Sequence, residues 1–300
     1  MIDLSLLPLP DVVESLDFET LLAARKARLV SLYPAAEQAN IAARLELESQ
    51  PLNKLLQENT YRELILRQRI NDGAKAVMLA YATGADLENV AAWYGVQRLL
   101  VTPADNSVTP VIPAVYETDD RLRYRTQLAL EGFTTAGPRN AYRYHALSAS
   151  AKVKDVALLR PIQGTVRVVV LSTEGDGTPS TTLLATVAAA LNDEDVRPLC
   201  DTVEVVAAEI LPYQVAATLV FYSGPDMAVV QAAALAKAKA YVAERHAMGH
   251  DVSRSGLFAA LHQSGVQNVI LTSPATDLEV AQHQAAYCIG ITLTQGGTDE

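Results

Sequence analysis

The chain has 300 residues, of which half are apolar and 19% are charged, and its formal net charge is −10. This acidity opposes sequence-independent binding of nucleic acid, which needs a cationic surface. The lack of any run of about 18 apolar residues likewise opposes a membrane-spanning helix. We therefore expect a soluble protein of about two domains, whose apolar residues fill large cores or large subunit interfaces.

The ends of the chain and its thiols indicate where it is made. The first residues are acidic and include prolines, a pattern that is not typical of a secretory signal. Cys200 and Cys288 lie far apart in sequence, and without a secretory context free thiols are the simpler interpretation. We expect assembly in the cytoplasm of the cell that makes the protein.

Residues 1–98 are predicted to form a helical arm. Three helices are expected before Gly84, separated at Pro34 and Pro51, and a fourth is expected to begin at Asp86 and to end at Gly95. The third helix is the longest, and its apolar positions recur at helical spacing. We expect its stripe to join a bundle with partner helices. The predicted contact residues are Leu55, Leu56, Tyr61, Leu64 and Ile65.

Residues 99–150 are predicted to form a connector. Prolines interrupt short β-prone pieces between Leu99 and Val115, which is typical of an extended segment with an edge strand. A helix, an elbow at Gly137-Pro138 and a second helix are expected over Glu117–Leu147, with Pro138 as the first residue of the second helix. We interpret this stretch as a hinge between the helical arm and the rest of the chain.

Both helices of this stretch carry basic residues. In the first helix Arg121, Arg123 and Arg125 are expected to form a basic flank beside a modest apolar stripe. The second helix has large side chains with polar tips, which are enriched at protein–protein contacts. Such side chains can also stack nucleic-acid bases, but the acidity of the chain favours a protein interface. The predicted contact residues are Arg139, Tyr142, Arg143 and Tyr144.

Residues 151–300 are predicted to form an α+β assembly module that can be divided into two subdomains, 151–211 and 212–294. Helices and strands mix irregularly, which favours mixed or antiparallel sheets over a doubly wound parallel sheet. One strand is expected to end at Ile210 and the next to begin at Tyr213. The last strand is expected over Ala286–Thr294, with a frayed polar tail, QGGTDE. The predicted fold class is an elongated multidomain α+β protein with an amino-terminal helical region.

The sequence offers few groups for catalysis or metal binding. His246 and His250 are four residues apart beside two acidic residues, a spacing that superficially suits zinc. Gly249 is expected to end the helix between them, so the imidazoles need not share a face, and no third ligand is indicated. The segment GDGTPS (Gly175–Ser180) lacks the lysine of a phosphate-binding loop and is predicted to form a turn and a helix cap. We predict no catalytic residue, no metal and no cofactor.

Several segments together resemble the baseplate J-like proteins of contractile-tailed phages. These segments are ATGADLENVAAWYGVQRL, ETDDRLRYRTQLALEGFTTAGPRNAYRYHALSA, GDGTPSTTLLATVAAALNDEDVRPL, AERHAMGHDVSRSGLFAALHQSGVQNVILTSPATDLEV and QAAYCIGI. Each motif alone is moderately specific, but they follow one another in order over essentially the whole chain.

The resemblance implies a structural protein of the baseplate wedge in the virion tail, without catalytic residues. It implies that two copies pair within each wedge and join a second wedge protein. Six wedges would close into a ring around the central hub and spike, next to a sheath-proximal baseplate protein. The ring would couple host contact to sheath contraction, and neither nucleic acid nor a membrane span is expected as a partner.

Two alternatives stay open at this stage. One keeps the structural role but places the protein in the baseplate of a phage-tail-like bacteriocin. The other is a small-molecule enzyme that uses the α+β half, which requires a deep pocket with convergent polar groups. A pocket around His246, His250 and Asp251 would favour that enzyme.

Overall fold

The computed structural model describes residues 2–133, 137–224 and 226–299 and divides into two compact units, Met1–Gln97 and Arg98–Glu300. Residues 134–136 of the expected elbow and Glu300 of the expected tail lie outside the described residues. The predicted α+β class with an amino-terminal helical region is confirmed.

The first unit is built from helices. After a 3-10 turn at Leu4–Leu6, its helices are α1 (Phe18–Ser31), α2 (Ala35–Leu45), α3 (Pro51–Ala76) and α4 (Gly84–Ala92). The four predicted helices are therefore present, with different ends in two cases.

The predicted end of α3 at Gly84 is wrong, as is the predicted start of α4 at Asp86. The chain leaves the helix after Ala76, and the Tyr81 hydroxyl then donates to the carbonyl oxygens of Leu7 and Pro8 at 2.8 and 2.9 Å. These tertiary contacts override the helical pattern of the sequence. Asp86 lies in the first turn of α4, and Thr83 occupies the position before it.

The second unit begins with a two-stranded antiparallel hairpin and continues into two three-stranded sheets. Its elements in chain order are β1 (Leu100–Thr102), β2 (Val115–Tyr116), α5 (Asp119–Leu128), a 3-10 helix (Ala129–Phe133), α6 (Arg139–Ala149), β3 (Val153–Leu159), β4 (Thr165–Ser172), α7 (Thr181–Leu191), β5 (Thr202–Ala207), β6 (Glu209–Tyr222), α8 (Met227–Arg245), α9 (Arg254–Leu261), β7 (Val266–Ser273) and β8 (Gln284–Asp299). Pro138 precedes α6 as its cap residue, so this helix begins one residue later than predicted.

Both three-stranded sheets are mixed, as the irregular order of helices and strands predicted. In each sheet the central strand pairs antiparallel on one side and parallel on the other: β4 lies between β3 and β5, and β6 lies between β7 and β8. Helices α6 and α7 cover the first sheet, and α8 and α9 cover the second. A third cluster joins the two sheets through Ala157, Val169, Leu171, Ala208, Met248 and Ala285.

The predicted strand break between Ile210 and Tyr213 is wrong. The break falls at Ala208, whose amide donates to the carbonyl of Val170 at 2.9 Å, and β6 then runs without interruption through Pro212. Proline lacks an N–H and is tolerated in a strand only where no neighbour needs that donor. This condition is met because β7 pairs with β6 only from Ala216 onwards, whereas β8 pairs along the opposite side.

The expected frayed tail is also wrong for its described residues. Gln295, Thr298 and Asp299 pair in parallel with Leu219, Phe221 and Tyr222 of β6, so the tail extends β8. The Gln295 side-chain amide also donates to Gln231 of α8 at 2.8 Å. The polar composition suggested fraying, but pairing with a long central strand keeps this segment ordered.

A chain that ends at Thr294 should therefore lose protection in β6. Removing residues 295–300 takes away the strand that pairs with residues 219–222, so we expect the amides of β6 that face β8 to exchange faster with deuterium. Hydrogen exchange followed by mass spectrometry measures this change. The amides of β4 serve as an internal control, and unchanged exchange at 219–222 would mean that the tail adds nothing to the sheet.

Candidate interaction surfaces

The first unit has little apolar core of its own. Few apolar side chains are buried among its described residues, whereas α3 buries three polar residues, Asn53, Thr60 and Asn71. The buried apolar residues of this unit are Leu22, Leu45, Ala82, Leu87, Ala91 and Val96. Burial of apolar surface is the main stabilising term in most folds, so this unit must depend on other contacts as well.

Polar contacts hold α3 against its neighbours. The Asn71 side chain forms a pair of hydrogen bonds with the backbone of Glu14, at 2.9 and 3.0 Å. Glu63 on α3 forms ion pairs with Arg25 of α1 and with Arg67. Hydrogen bonds from Arg25 and then from Arg67 lower the pKa of the Glu63 carboxyl. The inner face of α3 is thus largely polar.

One flank of the outer face of α3 is apolar. Leu52, Leu55, Leu66 and Ile70 are 38–65% exposed, and at 100° per residue they lie within about 60° of one another around the helix axis. Tyr61 and Ile65 are also exposed, but they lie about 80–180° away from these four residues around the axis, with the exposed ion pair of Glu58 and Arg62 between them. We call Leu52, Leu55, Leu66 and Ile70 the α3 stripe. Exposed apolar patches of this kind mark sites of protein interaction.

The α3 stripe overlaps the sequence prediction only in part. Leu55, Tyr61 and Ile65 are exposed as a contact surface requires, whereas Leu56 and Leu64 are half-buried. That any of the five contacts a partner stays a prediction. The sequence reasoning missed Leu52, Leu66 and Ile70, although their spacing from Leu55 follows a helical repeat. Periodicity alone does not separate the apolar residues of α3 that are half-buried from those that are exposed.

A buried ion network holds the start of the second unit. Glu117 has a fully buried side chain and forms ion pairs with Arg121 at 3.0 Å and with Arg125 at 2.5 Å. Its carboxylate also accepts the amide of Leu99 at 3.0 Å. The expected basic flank is therefore not a surface feature, because Arg125 is buried and the guanidinium of Arg121 donates to the carbonyl oxygens of Leu147 and of residues 150 and 153.

The residues predicted as contacts on α6 lie mainly within this unit. Tyr142 is buried, and its hydroxyl donates to Asp201 at 2.7 Å. Arg143 donates to the carbonyl of Val156 at 2.9 Å, and the ring of Tyr144 packs against Gly132. Arg139 is exposed at its helix start and donates to the carbonyl of Leu158. A partner contact for these four residues stays a prediction.

The hairpin of β1 and β2 exposes a second apolar surface. Val111, Ile112, Val115 and Tyr116 are each at least half exposed, and Leu100 is nearly so. A two-stranded sheet without a covering layer is only marginally stable in water. This hairpin gains further support at its base, where Leu99 and Glu117 are joined by hydrogen bonds.

The two histidines considered as metal ligands have separate environments. His246 is half-buried, and its Nδ1 donates to the carbonyl of Ala286 at 2.7 Å, with its ring against Tyr287. His250 is exposed. Within the described residues no three His, Cys, Asp or Glu side chains come together as metal ligands. Cavities of about 380, 420 and 240 Å³ are lined by other residues than His246, His250 and Asp251.

The fold and its exposed apolar surfaces are those of a protein that assembles with others. Models of the baseplate J-like N-terminal, central and C-terminal domains match residues 48–105, 134–207 and 213–294. Baseplate protein J of Escherichia phage P2 is 49% identical over 300 residues, which cover 100% of this chain and 99% of that protein. The chain belongs to the baseplate J-like family, which consists of structural phage proteins and not of enzymes.

A solved structure is also similar. The cryo-EM structure of the anti-feeding prophage (AFP) baseplate, 6-fold symmetrised, contains a chain that is 18% identical, with a TM-score of 0.41. The match covers 64% of this chain and 49% of that chain. Over the described residues, no helix has both the length and the apolar character needed to cross a bilayer.

Replacement of Glu117 by Gln should destabilise the second unit. The substitution leaves Arg121 and Arg125 buried without their anionic partner, and breaking such a buried pair costs about 3–5 kcal/mol. Urea denaturation of the variant measures this loss. The control is Asp120→Asn, which removes a carboxylate that is 96% exposed and should leave the urea midpoint unchanged. Equal midpoints for both variants would show that the network is not a main support.

Acid should weaken the packing around His246. Burial is the largest cause that lowers the pKa of this imidazole below its ordinary 6.5, and the approach of Lys154 also lowers it, while the hydrogen bond to Ala286 and the charge of Asp176 raise it. The folded protein therefore resists protonation, and stability that is present above pH 6.5 falls as the pH decreases below it.

Thermal unfolding between pH 7.5 and 5.0 tests this expectation. His246→Gln should reduce the fall in Tm over this range, because glutamine does not titrate. His250→Gln replaces an exposed imidazole and serves as the control. The same fall in Tm in the wild type and in both variants would exclude His246 as its source.

Proposed function

We propose that this protein is a wedge component in the virion tail baseplate of a contractile phage. In this proposal two copies pair within a wedge and join a second wedge protein during assembly in the host cytoplasm. Six wedges form a ring around the central hub and spike, next to a sheath-proximal baseplate protein, and the ring couples host contact to sheath contraction. Membership of the baseplate J-like family supports this role.

The observation that carries the proposal is that α3 buries polar side chains while it leaves an apolar stripe exposed. A helix of a self-contained domain turns its apolar stripe inward, whereas α3 buries Asn53, Thr60 and Asn71 and exposes the α3 stripe. Full burial of a leucine or isoleucine side chain contributes about 1.5–3 kcal/mol. Several such side chains along one helix are enough to hold partner helices in a bundle, even after the entropy cost of association.

The proposal divides the chain by role. Residues 1–98 form the helical arm that enters the wedge bundle, and residues 99–150 connect it to the remainder. Residues 151–211 and 212–294 form the assembly modules of the ring. Within the connector, Tyr142 and Arg143 act mainly as positioning residues, because their contacts with Asp201 and Val156 fix α6 on the first sheet.

The double substitution Leu66→Asp and Ile70→Asp tests the role of α3. Both side chains are more than 60% exposed in the free chain, so the variant should keep the wild-type Tm. In the bundle these positions would be buried, and two unpaired carboxylates there would prevent association. Co-expression with the neighbouring wedge protein, followed by native mass measurement, should give a complex with two copies of this chain for the wild type and separate proteins for the variant.

Leu199→Asp is the matched control, because Leu199 is fully exposed in the second unit. This variant should form the wild-type complex. Should the α3 variant also yield the wild-type mass, the bundle would not use this face. Failure of the wild type itself to bind its neighbour would count against the wedge role as a whole.

A further inference from the structure

We infer that a groove beside Trp93 binds an arginine or lysine side chain, presented by a partner protein on an apolar segment. The groove is a cavity of about 420 Å³ between the end of α3 and helix α4. Its walls include Val77, Asp86, Val90 and Trp93. The inference depends on this geometry and not on the proposed wedge role.

The groove arises from the orientation of α4. Leu87 and Ala91 are fully buried and fix the inner face of this short helix. Asp86, Val90 and Trp93 then share a neighbouring face, about 110° around the axis, because residues three, four and seven apart lie together on a helix. Trp93 is 90% exposed and Val77 is 73% exposed. A large aromatic side chain held outward beside a cavity is typical of an interface anchor.

The chemistry of the walls selects a cation. Of the described residues that line the cavity, Asp86 is the one with a charged side chain, and its carboxylate offers only acceptor atoms. The NH₂ of Asn89 donates to the carbonyl of Ala85 at 2.9 Å, and its carbonyl oxygen is a further acceptor. The negative charge of Asp86 favours a cationic side chain that donates to it, and an anionic side chain would be repelled.

The apolar parts of the groove fit the same ligand. The indole face of Trp93 attracts a guanidinium or ammonium group through its π electrons. Val77 and Val90 provide the apolar surface against which the methylene groups of arginine or lysine pack. The lining therefore combines a carboxylate, an aromatic ring and two aliphatic side chains, the groups that a long cationic side chain can contact.

The charge of the chain favours a different protein over a second copy as the occupant. With a net charge of −10, the chain attracts a basic partner segment to the carboxylate of Asp86 more strongly than it attracts the acidic surface of a second copy. Electrostatic complementarity at this point would also determine which segment enters the groove.

Trp93 is the only tryptophan of the chain, so its fluorescence reports on the groove directly. The probe is the peptide acetyl-Leu-Arg-Leu-amide, added to the purified full-length chain at constant ionic strength. We expect a saturable change in Trp93 emission. The same peptide with citrulline in place of arginine has nearly the same shape without the charge, and it should bind at least about threefold more weakly.

Variants separate the groove from general charge effects. Asp86→Asn should reduce the affinity for the arginine peptide to that of the citrulline peptide. Glu58→Gln removes an exposed negative charge of the same unit, outside the groove, and should leave the affinity unchanged. Equal affinities for the two peptides, or an equal loss of affinity in the two variants, would overturn the inference. A change in Trp93 emission that follows the protein concentration and not the peptide concentration would overturn it as well.

Discussion

The second unit depends on the burial of one carboxylate, that of Glu117. A buried charge is tolerated only when it is paired and hydrogen-bonded, and Glu117 meets this condition with Arg121, Arg125 and the amide of Leu99. Arg121 then bonds to three carbonyl oxygens where α6 ends and β3 begins. The base of the hairpin, α5, α6 and the first sheet are thus fixed by one set of charge-assisted bonds.

The two units are stabilised by different forces. The second unit buries continuous apolar clusters beneath both of its three-stranded sheets, with residues such as Val156, Leu219 and Leu257 fully excluded from solvent. The first unit instead holds its helices with ion pairs around Glu63 and with the paired hydrogen bonds of Asn71. Partly exposed ion pairs contribute little each, so the first unit gains more than the second from any partner that covers its apolar residues.

The sequence predicted elements better than it predicted faces. The helices, the mixed sheets and the order of strands along the chain follow from periodicity and turn residues, which act locally. The exposed face of α3 could not be predicted in this way. Leu55 and Leu64 both fit a helical repeat, and only tertiary contacts decide which of the two side chains is exposed. The role of Glu117 was missed for the same reason: a carboxylate at a helix start is ordinarily solvated, and its burial depends on Leu99, distant in sequence.

A unit that folds before it meets its partners needs contacts that leave its interaction surface free, and the polarity of the first unit fits this requirement. Apolar contacts strong enough to hold α3 inward would leave no apolar surface for other chains. Polar contacts through Asn71 and Glu63 can hold the same helix and leave Leu66 and Ile70 exposed. We expect such a unit to have modest stability when free, and a partner that buries the α3 stripe would stabilise its folded state.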